Sequence, residues 1–199
     1  MRKARMKRDD EPTVYHCISR TVGGLFLFQH PEKERFSQML RQQAQFCGVE
    51  VITHTVLNNH FHIVARLPVK KVLTDEELLR RAKILYGTKR KEFKLLEEGI
   101  EQTGKIPDNL RQALERRMGD LSNFMKELKQ RFSRWFNKKH DRYGTLWADR
   151  FKSQIIQDGP DAARKIAAYV DLNSVRAGIT EDPKEFGHPK GKRNQVPPK

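Results

Sequence analysis

Cysteine is almost absent from this chain: Cys17 and Cys47 are the only two in 199 residues. They lie far apart and lack the paired spacing of zinc sites. Each sits among apolar neighbours and reads as a reduced core thiol of a cytoplasmic protein. Long apolar runs are absent too, since no stretch approaches the ~20 residues that cross a bilayer. The basic opening Met1–Arg8 is followed by no apolar segment, which argues against a secretory signal. Sustained heptads are missing, so the pattern does not choose between monomer and homodimer. Acid is scarce relative to base, 25 Asp and Glu against 40 Lys and Arg, for a formal charge of +15 and a pI near 10.0. A solvated surface of mixed sign needs no such excess. A polyanionic partner accounts for it better, and nucleic acid better than a membrane.

What is present fits one domain with a modest core and a heavily charged surface, at 37% apolar and 33% charged residues. Thr13–Arg20 is β-branched and aromatic and reads as a first strand, broken by Gly23-Gly24. Pro31 opens an amphipathic helix with Phe36, Leu40, Ala44 and Cys47 at helical spacing, and Gly48 ends it. Val49–Leu57 and His60–Leu67 read as a hairpin around Asn58-Asn59, stopped by Pro68. The segment from Lys70 to about Arg117 is helical and charged, with a start signature at Thr74-Asp75-Glu76-Glu77. Leu121–Lys139 is a stronger helix. Its aromatic stripe belongs to a core, and its stripe of Lys126, Lys129, Arg131, Arg134, Lys138 and Lys139 is either a solvated face or a DNA contact. A strand-like stretch runs from Gly144 through Phe151 to Ile156, and a helix follows from Ala162 to about Leu172. Strands interleaved with helices, one hairpin among them, predict an α+β domain around an antiparallel sheet.

The sharpest feature is Asn58-Asn59-His60-Phe61-His62-Ile63-Val64. Side chains on a strand alternate faces, so His60 and His62 share one side, about 6–7 Å apart, while Phe61 anchors the other. Strand histidines are ordinarily plain polar surface residues. Two imidazoles so close are also able to share a divalent metal, but a catalytic ion needs at least one more protein ligand. Tyr169 and Asn173, four apart, share a helix face. If that face packs over the histidines, Asn173 offers a carbonyl oxygen to the metal and Tyr169 a phenol to the same pocket. A helical tyrosine is most often half-buried core, and Tyr15, Tyr86 and Tyr143 are rival nucleophiles. Only Tyr169 has a carbonyl-bearing side chain at this spacing.

Three segments then occur in order. Asn59-His60-Phe61-His62 is followed by Gly144-Thr145-Leu146-Trp147 with Arg150-Phe151-Lys152-Ser153, and then by Tyr169-Val170-Asp171-Leu172-Asn173-Ser174-Val175-Arg176-Ala177-Gly178. Together with Tyr15–Arg20 they resemble the REP-associated tyrosine transposases, relatives of the single-tyrosine transposases in the His-hydrophobic-His nuclease superfamily. The resemblance spans most of residues 1–180 and implies a ferredoxin-like or RRM-like α+β fold with a helical insertion at about 70–117, a basic arm at 1–12 and a basic tail at 181–199. It implies cleavage and rejoining of single-stranded DNA through a 5′-phosphotyrosine, with Tyr169 as nucleophile and His60, His62 and Asn173 as ligands of Mg²⁺ or Mn²⁺. Its substrates are DNA hairpins of palindromic repeats, which sets the expected location in the cytoplasm with the bacterial nucleoid. Arg2, Lys3, Arg5, Arg20, Arg66, Arg150, Lys152 and Arg176 are candidate phosphate contacts, and Trp147 is either a DNA contact or plain core. Ser174 stands where many family members have proline, and the 70–117 segment is longer than in compact members. The rivals are a non-catalytic binder of structured nucleic acid and a metal hydrolase that uses activated water.

Overall fold

The structure, a computed structural model, describes residues 11–156 together with Ala168. Four strands form one antiparallel sheet: β1 (Thr13–Arg20), β2 (Glu50–Val56), β3 (His60–Leu67) and β4 (Lys152–Ile155), in the order β2-β3-β1-β4. Helix α1 (His30–Cys47) joins β1 to β2. Helices α2 (Asp75–Tyr86), α3 (Lys91–Thr103), α4 (Asp108–Glu115) and α5 (Leu121–Lys139) lie between β3 and β4. This is the expected α+β fold of ferredoxin-like order, with β1 and β3 at its centre. Among the described residues no helix is long and apolar enough to cross a membrane.

The strand alternation makes two unlike faces. Tyr15 and Cys17 of β1, with Phe61, Ile63, Ala65 and Leu67 of β3, are buried in one cluster with the helices. Phe61 packs on Phe36 of α1 at 4.6 Å between ring centroids and edge-on to Trp147 at 5.5 Å. Val64, whose side chain points the other way, is fully buried but stands outside that cluster. Helix α1 begins with Pro31 in its first turn, and the Gln29 N–H donates to the Glu32 carboxylate at 3.0 Å. It ends where Gly48 takes φ +69°, a conformation that glycine enters without strain.

Helix α5 starts as the sequence predicts, with the Asp120 side chain accepting from Asn123 N. Leu121, Phe124, Leu128, Phe132 and Phe136 form its buried stripe. Half of its basic stripe braces the fold. Lys129 is buried and donates to the Asp149 carbonyl at 2.7 Å; Arg131 donates to the Gln42 and Gln43 side chains; Lys139 pairs with buried Glu32. Lys126, Arg134 and Lys138 of that stripe are exposed. Long aliphatic stems let the other cations cross packed surface before reaching a polar partner.

The segment after β3 is helical as expected, and it adds to the main core. Leu78, Ala82, Phe93, Leu96, Ile106, Leu114 and Met118 join the cluster that covers the sheet. Three of its arginines turn inward: Arg81 pairs with Glu77, Arg111 with Asp75, and Arg117 with Glu127 and the Tyr86 hydroxyl. The Arg117 guanidinium also lies 4.3 Å from the centre of the Phe46 ring, tying α2, α5 and α1 together.

Where α3 meets the start of α4, a Cβ on Gly99 would fall 2.3 Å from Pro107 Cδ and 2.6 Å from its Cγ. A ring closed onto the backbone cannot swing aside. Gly99→Ala should therefore destabilise the protein by about 1–3 kcal/mol, despite the better helix propensity of alanine. Urea denaturation checks this, and an unchanged midpoint would contradict the close approach.

Candidate functional site

The β1–β3 pairing sets Arg20 opposite His60, Ile18 opposite His62 and His16 opposite Val64. All six side chains belong to the sheet face turned away from the helical core. His60 and His62 sit together as the alternation predicts, with ring centroids 5.1 Å apart and planes at 71°. A third histidine joins them. His16 stacks on His62 at 5.2 Å and 16°, with His16 Nε2 2.9 Å from His62 Nδ1. Sequence reasoning placed His16 on a strand but gave it no role, because its contact depends on which residue of a distant strand lies beside it.

The environment keeps these rings neutral. His62 is 7% exposed and His16 8%. Burial, then the charges of His60, His16 and Arg20, holds the His62 pKa down at about 4. Burial and Arg20 lower that of His60, and burial lowers that of His16. A neutral imidazole carries one N–H and one lone pair, and the lone pair is what a metal binds.

Asn59 decides which nitrogen of His60 is open. Its Nδ2 donates to the Gly24 carbonyl at 3.0 Å, which fixes the amide orientation and turns Oδ1 toward His60. Oδ1 lies 2.6 Å from His60 Nδ1 and can only accept, so that nitrogen carries the proton and Nε2 keeps the lone pair. The tautomer of His62 that donates from Nδ1 to His16 Nε2 leaves its own Nε2 open in the same way. Outer partners of this kind are how proteins orient metal-binding imidazoles.

Two neutral imidazoles fit a divalent ion as a partial ligand set. Among the described residues no group of three or more His, Cys, Asp or Glu is arranged to hold a metal. Tyr169, Asn173, Arg176, Arg2, Lys3 and Arg5 lie outside the described residues, as does the helix expected from Ala162. Among the rival tyrosines, Tyr15 is 3% exposed on the core side of β1, away from the histidines. Tyr86 accepts from Arg117, and Tyr143 is an 88% exposed loop residue.

The remaining candidates divide. Arg20, Arg150 and Lys152 are exposed, and Lys152 pairs with Ile18, on the strand that carries His16. Arg66 is partly exposed and ion-paired with Glu50 at 2.8 Å across β2 and β3. Trp147 is a core residue, which corrects its reading as a DNA contact. It is 8% exposed, packs on Phe28, Phe61 and Phe132, and donates its indole N–H to the Lys129 carbonyl at 3.2 Å.

No family model matches the sequence, and no curated protein matches it. Among solved structures, the chain is similar to the REP-associated tyrosine transposase bound to a REP hairpin. The TM-score is 0.56 at 13% identity, over 94% of this chain and 81% of that one. The chain shares that transposase's fold. A crystal structure of a putative transposase from Deinococcus radiodurans also aligns, at 14% identity over 86% of this chain and 97% of that one. Its TM-score of 0.38 is too low to carry an argument.

The buried and half-buried histidines make stability depend on pH. His16, His54, His60 and His62 all have lowered pKa values, to about 4 for His54 and His62, against 6.5 for an unperturbed ring. Between about pH 6.5 and about pH 4 the unfolded chain therefore binds more protons than the folded one, so stability is complete above this window and lost as pH falls through it. The melting temperature should drop between pH 7 and pH 5, before carboxylates titrate, and His54→Gln should flatten the slope. A level profile across that range would contradict the burial of these rings.

Proposed function

We propose that this chain is a DNA-binding transposase that cleaves and rejoins single-stranded DNA, with His60, His62 and Asn173 holding Mg²⁺ or Mn²⁺ and Tyr169 as the nucleophile. The observation that carries this reading is the prepared histidine pair: two neutral imidazoles on one sheet face, with the Nδ1 of each occupied by a neighbour. A surface pair needs neither the desolvation nor the two orienting partners. The fold likeness to a transposase bound to a REP hairpin supports the same reading, as do the ordered segments through Tyr169 and Asn173. Hairpin DNA with a single-stranded flank is the proposed substrate.

A divalent ion at this site would polarise the scissile phosphate and stabilise the charge that develops on it. The phenol of Tyr169 forms the new O–P bond as the bond from phosphorus to the 3′ oxygen breaks. The phenolic proton is lost to solvent, and the departing 3′ oxygen gains one, which leaves a 5′-phosphotyrosine and a free 3′ hydroxyl. Attack by a second 3′ hydroxyl reverses the chemistry and joins strands without an external energy source. A phenol has a pKa near 10 in water, so Tyr169 requires electrostatic help at neutral pH. Exposed Arg20, Arg150 and Lys152 would neutralise the backbone on either side of the reacting phosphate.

Labelled single-stranded DNA run on a denaturing gel tests the mechanism. A protein–DNA adduct is expected from the native chain with Mn²⁺, and none from Tyr169→Phe, whose hairpin binding should persist. Cleavage without an adduct would indicate a hydrolase, and intact DNA a binder. His60→Ala and His62→Ala should each abolish metal-dependent cleavage, and full activity in EDTA would remove the metal from the mechanism. Affinity for DNA should fall linearly on a log–log plot against salt, by about 0.7 per phosphate neutralised on a single strand. A flat response would contradict a phosphate-dominated interface.

A further inference from the structure

The loop between β1 and α1 carries a feature that the histidine site does not use. Phe26 is 71% exposed and its neighbour Leu25 is 51% exposed. An aromatic ring so open to water is usually found on a loose loop, but this one is held from several sides. Thr21 N donates to Asn59 O at 2.9 Å, Val22 N to Leu146 O at 3.0 Å, and Phe28 N to Asn58 O at 2.8 Å. The Thr21 hydroxyl lies 2.8 Å from the Leu25 carbonyl and 3.0 Å from that of Asn59. The Asn59 amide reaches the Gly24 carbonyl at 3.0 Å while its other end meets His60. The side chain that orients His60 thus also pins the loop two residues before Phe26. The turn itself needs Gly23 and Gly24, with φ of +62° and +67°.

We propose that Phe26 is a stacking platform for an unpaired base of single-stranded nucleic acid, held at a fixed position by a loop that Asn59 ties to His60. The proposal rests on the single-stranded DNA reading above and adds a contact to it. The apolar surface involved is two side chains, far short of the roughly 1,000 Å² that a protein interface needs. A base needs one ring face. The segments that brace the loop carry exposed cations: Arg20 ends β1, its carbonyl accepts from Ala148 N at 3.0 Å, and Arg150 and Lys152 follow in that segment, with Asp149 between Ala148 and Arg150. A polyanion with flat apolar bases matches both parts of this surface, because stacking is indifferent to sequence and phosphates answer the cations. A rigid mount also lowers the ordering entropy that a mobile aromatic loses on binding.

The test uses the full chain and a fluorescein-labelled dT20 oligonucleotide. Phe26→Ala should weaken binding about 5- to 150-fold, the range for removing one base–aromatic stack. The slope of affinity against salt should not change, because no charge is lost. Phe26→Trp should restore affinity and Phe26→Leu should not. Photocrosslinking to the same oligonucleotide with 5-iododeoxyuridine in place of thymidine should attach to the peptide containing Phe26. Wild-type affinity in Phe26→Ala, or full rescue by Phe26→Leu, would overturn the stacking platform and leave the DNA reading intact. If the native chain itself fails to bind dT20, the stacking platform falls, and binding to a hairpin with a single-stranded flank decides the DNA reading separately. Phe26 is outside the core, so equal melting temperatures of variant and native chain separate a lost contact from a lost fold.

Discussion

Everything at the candidate site depends on the antiparallel register of β1 against β3. These strands are far apart in sequence and meet at the centre of the sheet, with Cys17 opposite Ile63 and Ile18 opposite His62. A slip of one residue would exchange the faces, driving His60 and His62 into the aromatic core and pushing Phe61 out of it. The register is fixed on the helical side by Phe61, Ile63, Tyr15 and Cys17, all buried with Phe36 of α1 and Phe132 of α5. Core packing on one face thus places the chemistry on the other, and the histidines share the stability of the best-protected part of the molecule.

That arrangement brings an electrostatic constraint. Burial first, and then the charge of Arg20, presses His60 and His62 toward their neutral forms. Neutral rings are the ones able to ligate, so the basic character that would attract a polyanion also favours the protonation state that a proposed metal would need. Some of the positive charge is turned inward. Lys129, Arg131, Arg117, Arg111 and Lys139 hold helices to one another and to the 148–149 turn. Net charge therefore overstates the cationic surface open to a partner, which among the described candidates near the histidines narrows to Arg20, Arg150 and Lys152.

Much of this was legible from residue order. β1, β3 and α5 have the limits that alternation and helical spacing predict, because each buries one strongly patterned face. The Thr74 cap and the Gly48 stop were equally readable, being local chemistry. β4 is shorter than the stretch predicted from Gly144, since only Lys152–Ile155 pairs with β1 and Trp147 makes a lone bridge to Thr21. The stripe on α5 stayed open between two readings because sequence shows which residues share a face and not what covers it. Trp147 stayed open for the same reason, and the structure places it in the core. His16 and Asn59 were visible as residues and invisible as partners, since one contact requires the β1–β3 register and the other a backbone carbonyl presented by the Gly23-Gly24 turn. The expected Tyr169 and Asn173 pair lies outside the described residues.

In the proposed function His60 and His62 bind one divalent ion through their open nitrogens. Pulsed electron paramagnetic resonance of Mn²⁺ added to the full chain reads this directly, through the nitrogen couplings of coordinated imidazole. The account predicts couplings from two imidazoles in the native protein, one of them lost in His60→Ala and the other in His62→Ala. Bound Mn²⁺ with no nitrogen coupling, or a coupling that survives both substitutions together, would contradict it.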